Sequence, residues 1–179
     1  LLFEGKYTDV FANDFNGDSL IDFIVRNLDS DSLNVIYFEN IGNNTFNKSV
    51  VALPDSGIAF TLHYVDYDVD GDIDICMNNG YNFYIIPNLG GGAFGSKSLI
   101  YNKTAVYWDI EFADFTGNGY PDLIYTYAYS FDRNVAYVPN NLGVFGSENI
   151  ITTALYGNGP SSLQIDAIID YDHDGDLDL

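Results

Sequence analysis

The sequence predicts an all-β chain of four-stranded antiparallel sheets, the blades of a β-propeller, and three observations carry the prediction. A nine-residue acidic loop recurs four times, with first aspartates at 14, 66, 114 and 170. The intervals, 52, 48 and 56 residues, are nearly constant, which marks a repeat architecture rather than an isolated motif. Around each loop, short runs rich in Val, Ile, Tyr and Phe return in the same order, bounded by Gly and Asn. Such runs are strands, and no stretch sustains helical periodicity.

Taken in order, a first β-rich run precedes each loop, at 7–12, 60–65, 106–112 and 163–169. A second follows the loop at 21–25, 73–77 and 123–129, and a third at 33–38, 83–86 and 134–138. The third run leads to Asn40, Asn88 or Asn140, and a Gly/Asn turn follows. An aromatic comes next (Phe46, Phe94, Phe145), then a fourth run at 49–53, 97–101 and 149–153. Four antiparallel strands per roughly 50 residues make a propeller blade. The blades are expected at about 1–55, 56–104 and 105–158, with a fourth opening at 159–179. The 28 Tyr and Phe residues lie mostly in strands, where large flat side chains fill the space between stacked sheets.

The loops carry the chemistry. In Asp66-Tyr67-Asp68-Val69-Asp70-Gly71-Asp72-Ile73-Asp74, carboxylates stand at positions one, three, five and nine, with Gly at six. Alternate side chains of a curled loop turn toward one centre, and crowded carboxylates repel unless a cation sits among them. Hard oxygen donors at this spacing suit Ca²⁺. Positions one, three, five and nine are expected to ligate through side chains and position seven through its carbonyl. The ligands are then Asp66, Asp68, Asp70 and Asp74, with the carbonyl of Asp72. Loop four gives Asp170, Asp172, Asp174 and Asp178, with Asp176. Loop one gives Asp14, Asn16, Asp18 and Asp22, with Leu20, and loop three Asp114, Thr116, Asn118 and Asp122, with Tyr120. Two neutral ligands make loop three the weakest site. An EF-hand is excluded, because position twelve is Val25, Met77 or Tyr125 rather than a bidentate Glu.

Net charge is −20, and fifteen of the 26 acidic residues lie inside the four loops, so much of the acidity is ligand charge. Six Lys and Arg form no patch to meet phosphates, which argues against nucleic acid. Cys76 excludes an internal disulfide by being alone, and within its apolar run it reads as a buried hydrophobe. His63 reads as a hydrogen-bonded core residue and His173 as a solvated loop residue. No apolar run approaches the ~20 residues of a membrane-spanning helix. The chain begins Leu-Leu-Phe and stops just after loop four, so both ends look cut and a signal peptide would not be seen.

These residues resemble the FG-GAP and VCBS repeats, which form the blades of integrin α-subunit propellers and of many secreted proteins. The resemblance rests on the four loops, on the Asn-x-Gly to Phe elements 40–46 and 88–94, and on Phe94-Gly95 and Phe145-Gly146. It implies part of a ring of about seven blades, in an extracellular or cell-surface setting with structural calcium. The expected function is a non-enzymatic, calcium-binding module of an adhesion, recognition or carbohydrate-binding protein, with a protein or glycan ligand. The alternative is the propeller of a secreted polysaccharide lyase or glycosidase, with Asp109, Glu111 and Asp166 as channel-lining acids. No catalytic constellation pairs them. Three blades and a fragment are also expected to self-associate through unpaired blade faces.

Overall fold

The computed structural model describes residues 6–28, 34–52, 61–102, 106–129 and 132–155, with positions 165, 168–170 and 177. Strands fill these segments, and no helix occurs among the described residues. The first sheet holds β1 (Tyr7–Asn13), β2 (Asp22–Asn27), β3 (Asn34–Asn40) and β4 (Phe46–Ala52), hydrogen-bonded in chain order. The second holds β5 (Thr61–Val65), β6 (Asp74–Asn78), β7 (Asn82–Ile86) and β8 (Ser98–Asn102), also in chain order. In the third, β9 (Val106–Ala113), β10 (Asp122–Tyr129) and β11 (Asp132–Val138) are followed by β14 (Asn149–Leu155). Between β11 and β14 a small hairpin forms from β12 (Asn140–Asn141) and β13 (Val144–Phe145). Neighbouring strands pair antiparallel throughout the first and third sheets, as do β6 and β7 in the second.

The hairpin has a physical origin. The first two Asn-to-Phe turns close through Ile41 N–Thr45 O (3.0 Å) and Leu89 N–Ala93 O (2.7 Å). Three successive residues there adopt positive φ, at 42–44 and at 90–92. The third turn is one residue shorter. Leu142 and Gly143, both at positive φ, make a two-residue turn that matches the strand twist.

The chain divides into two compact units, one of residues 1–64, 72–79 and 83–99 and the other of 65–71, 80–82 and 100–179. The first is centred on buried Phe15, Ile24, Val35, Tyr37, Ile75, Met77 and Ile86. Phe15 packs edge-on to Tyr37 (6.0 Å) and Phe94 (6.1 Å), and Phe11 stacks on Tyr64 (3.9 Å). Each large side chain so buried contributes on the order of 1.5–3 kcal/mol. In the second unit, Leu123, Ile124, Tyr125, Ala136 and Val138 are fully buried. The phenols of Tyr101, Tyr125 and Tyr127 all donate to the Glu148 carboxylate. Burial, then the bond to Glu148, pushes the Tyr125 phenol far above its ordinary value, so it stays a neutral donor. Tyrosine here is core material, as its strand positions suggest.

The Phe-Gly element has a steric reason. Gly95 and Gly146 donate their amides to the carbonyls of Pro87 (2.7 Å) and Pro139 (2.8 Å), one residue before the turn-closing asparagines. A Cβ on Gly95 would lie 2.7 Å from Pro87 Cγ, and one on Gly146 3.2 Å from Pro139 Cγ. Overpacking at such a contact costs about 1–3 kcal/mol. Gly95→Ala is therefore expected to lower the urea midpoint in calcium-free buffer, and Gly146→Ala to lower it less. Equal losses would show that the proline contact does not set the cost.

Candidate metal centre

Each loop is built on its first aspartate. Asp14 Oδ1 accepts the amides of Gly17 (2.8 Å) and Asp18 (3.1 Å), and its Oδ2 that of Ser19 (2.8 Å). Asp66 accepts those of Asp70 (3.1 Å) and Gly71 (3.0 Å), and Asp114 those of Asn118 (2.9 Å) and Gly119 (2.8 Å). The amides four and five residues on thus cap the carboxylate in all three described loops. Positions four and six both take positive φ to make this possible: Gly17 and Ser19, Val69 and Gly71, Gly117 and Gly119. Glycine signals this at position four of loops one and three and at position six of loops two and three, whereas Ser19 and Val69 carry no such signal. Val69 holds φ 60°, an outlier for a β-branched residue.

The ninth position is a different kind of residue from the other ligand candidates. Asp22, Asp74 and Asp122 are at most 1% exposed and open the second strand of their sheets rather than lying in the loop. Asp22 Oδ2 accepts Phe15 N (3.1 Å) and Tyr37 OH (2.7 Å), and its Oδ1 accepts Asn40 N (2.7 Å). Asp74 Oδ1 accepts Asn88 N, and Asp122 Oδ1 accepts Asn140 N, both at 2.7 Å. Asp122 Oδ2 also takes Thr116 N (2.8 Å). A carboxylate has about four lone-pair sites, so these bonds leave capacity for a cation.

Loop two brings its acids together. Ligand oxygens of Asp66, Asp68 and Asp74 lie within 4.8 Å of one another, the one such group of three acids among the described residues. Asp68 Oδ1 is buried and has no hydrogen-bond partner. Burial, then the charges of Asp70 and Asp66, raises the Asp68 carboxyl above its usual value. An orphaned buried oxygen is costly, and a hard-oxygen cluster of this size is what a divalent cation would complete. Asp70 stays exposed outside the group, and Asp72 is half-buried.

In loop one, Asn16 Nδ2 donates to Asp18 Oδ2 (3.2 Å), and Leu20 N donates to Asp18 Oδ1 (2.8 Å). In loop three, Tyr120 N donates to Asn118 Oδ1 (2.9 Å), while Thr116 is exposed. Loop three therefore folds on the same plan despite its two neutral ligands. Of loop four, Asp170 is half-buried; Asp172, Asp174, Asp176 and Asp178 lie outside the described residues, as do His173 and Asp166. His63 is half-buried, its Nε2 3.2 Å from Thr61 Oγ1. Cys76 is fully buried, and burial pushes its thiol well up.

The sequence pattern assigns no role to the asparagines that end the third strands. Each donates its side-chain amide to the carbonyl before the ninth aspartate of its own loop. These bonds are Asn40–Ile21 (3.1 Å), Asn88–Ile73 (3.4 Å) and Asn140–Pro121 (3.0 Å). Their recurrence at 40, 88 and 140, 48 and 52 residues apart, was the available signal.

Two outcomes follow from this geometry. Asp22→Ala strips the partner from three donors, Phe15 N, Tyr37 OH and Asn40 N, at about 1–3 kcal/mol for each buried group left unsatisfied. In chelator it is expected to destabilise the chain far more than Asp18→Ala, read by urea unfolding. Asp68→Asn acts in the opposite sense. A carboxyl whose folded value is raised gives its full stability below its unfolded value, about 3.9, and loses it as pH rises through the folded value. At pH 7 the parent carries that penalty and the Asn variant does not. Asp68→Asn should therefore raise the calcium-free melting temperature at pH 7, with the difference vanishing near pH 3.

Comparison with known proteins agrees with the repeat. The profile described as an FG-GAP-like repeat matches residues 14–77 and 66–125. No curated protein matches. Among solved structures, an Agrocybe aegerita lectin described as specifically recognising non-reducing terminal N-acetylglucosamine aligns with TM-score 0.61 at 22% identity. The alignment covers 83% of this chain and 39% of the lectin chain. A Photorhabdus luminescens Tc holotoxin pore chain aligns with TM-score 0.49 at 19% identity, over 84% of this chain and 7% of that one. The chain thus spans less than half the length of either. The profile matches together cover more than half of the 179 residues, and the chain belongs to the FG-GAP-like repeat family.

Proposed function

We propose that this chain is a calcium-stabilised β-propeller module of an extracellular recognition protein, binding a protein or glycan and performing no catalysis. The observation that carries the calcium reading is Asp68 Oδ1, buried and unpartnered beside Asp66 and Asp74. Calcium would be held by positions one, three and nine, with position five closing from the exposed side. Bound there, it would neutralise the carboxylate repulsion and tie the loop between the first two strands of a blade.

The recognition reading is supported by the family and by the fold shared with a lectin. Of the acids considered for a catalytic role, Asp109 and Glu111 lie among the described residues. Asp109 accepts the amide of Ile110 at Oδ1 (3.1 Å) and that of Ile165 at Oδ2 (2.8 Å), so it acts as a backbone tie. Glu111 is raised above its usual value by partial burial and then by the charge of Asp109; a glycosidase would need a second carboxylate set across a cleft from it. No helix among the described residues is long and apolar enough to cross a membrane.

Extracellular calcium modules bind at about 10⁻⁴ to 10⁻³ M. Free calcium at ten times Kd adds about 1.4 kcal/mol per site, worth about 3–5 °C for a chain of this size. Millimolar Ca²⁺ is therefore expected to raise the melting temperature, and Asp70→Ala should remove more of the gain than Asn118→Ala, because loop two carries more ligand charge. No response in the parent would refute the calcium reading. A glycan array probed with calcium-loaded chain, with terminal N-acetylglucosamine included, tests the ligand class; turnover of any arrayed polysaccharide would instead establish an enzyme.

A further inference from the structure

Asn88 and Asn140 each reach a second loop as well as their own. Asn88 Nδ2 donates to Phe15 O (3.0 Å) in loop one, and Asn140 Nδ2 donates to Tyr67 O (2.6 Å) in loop two. Both bonds span 73 residues and end on the carbonyl of position two of the preceding loop. The same two positions receive further contacts from the same downstream turns. Phe94 packs on Phe15 (6.1 Å), and Phe145 stacks on Tyr67 (6.5 Å). A Cβ on Gly92 would lie 3.2 Å from Asn16 Cβ, and one on Gly143 3.3 Å from Asp68 Cβ. The turn of one blade is therefore seated against positions two and three of the loop before it.

Position three is a ligand candidate in both loops, Asn16 and Asp68. The carbonyl of position two and the amide of position three share one rigid peptide plane. A hydrogen bond that holds that carbonyl orients the plane that leads into the position-three Cα. At its other end each asparagine is fixed to the following loop. Its side chain holds the carbonyl of Ile73 or Pro121, and its backbone amide holds Asp74 or Asp122.

We propose that Asn88 and Asn140 are positioning residues that couple successive cation loops in series. On this reading, metal binding in one loop strengthens binding in its neighbour and tightens the seating of the next blade. The coupling is reciprocal, as linkage requires. It rests on the calcium reading above, and Ca²⁺ is the probe. Asn40 shows the contrast, since its side-chain amide reaches Ile21 O of its own loop and no second loop among the described residues.

The test is a Ca²⁺ titration of the whole chain followed by amide resonances of Ser19 in loop one and Gly71 in loop two. Each amide donates to the first aspartate of its loop. Asp14→Asn weakens loop one and leaves Asn88 intact. It is expected to weaken binding at Gly71 by about fivefold or more, the lower end of usual couplings. In an Asn88→Ala background the same change should leave Gly71 unmoved, a double-mutant cycle that isolates the asparagine. An unchanged Gly71 midpoint in Asp14→Asn alone overturns the coupling, whether or not Asn88→Ala folds. Persistence of the effect in Asn88→Ala removes the asparagine as its carrier. Absence of any calcium shift at either amide overturns the coupling and the calcium reading together.

Discussion

A buried carboxylate at the head of each second strand organises the blade. Asp22, Asp74 and Asp122 accept the backbone amide of the asparagine that ends the third strand, at 2.7 Å in all three cases. Hydrogen bonds to a charged group contribute about 1.5–3 kcal/mol, and an ionised carboxylate excluded from water survives only with such partners. The loop is thereby closed on itself, the second and third strands are locked at one end, and the asparagine is presented to neighbouring carbonyls. Remove the aspartate and the loop, the strand end and the turn lose their common anchor.

The same economy explains the mixed character of the loops. Their first aspartates are satisfied by backbone amides and their ninth by the strand-ending asparagine, so both ends fold on hydrogen bonds the chain supplies itself. The middle positions carry the remaining charge. Loop three, with Thr116 and Asn118 there, keeps the full scaffold, and loop two, with Asp68 and Asp70, accumulates repulsion that its own donors do not relieve. The metal question is thus concentrated in loop two, where a buried oxygen lacks a partner.

Aromatic residues serve the packing in a way that touches the loops directly. Position two is Phe15 or Tyr67, and each takes the ring of the next Phe-Gly element against its face or edge. Gly95 and Gly146 follow those rings because the chain passes too close to Pro87 and Pro139 for a side chain. The Phe-Gly pair that marks the family is therefore a docking ring joined to a steric concession.

The residues alone determined the repeat, the strands and the loop positions, because these depend on periodic patterns along the chain: alternation, Gly and Asn at turns, carboxylates at every second place. Asn40, Asn88 and Asn140 were visible as a recurring letter, yet their bonds run to carbonyls up to 73 residues away, and a backbone carbonyl leaves no mark in sequence. The ninth aspartate reads in sequence as one more ligand. Only the tertiary structure showed it buried and tied to a distant amide, because burial is decided by what packs above a residue. The convergence of Asp66, Asp68 and Asp74, with Asp70 left at the rim, was likewise decided in three dimensions: loop one has the same left-handed turns at positions four and six, yet its Asp14, Asp18 and Asp22 form no such group.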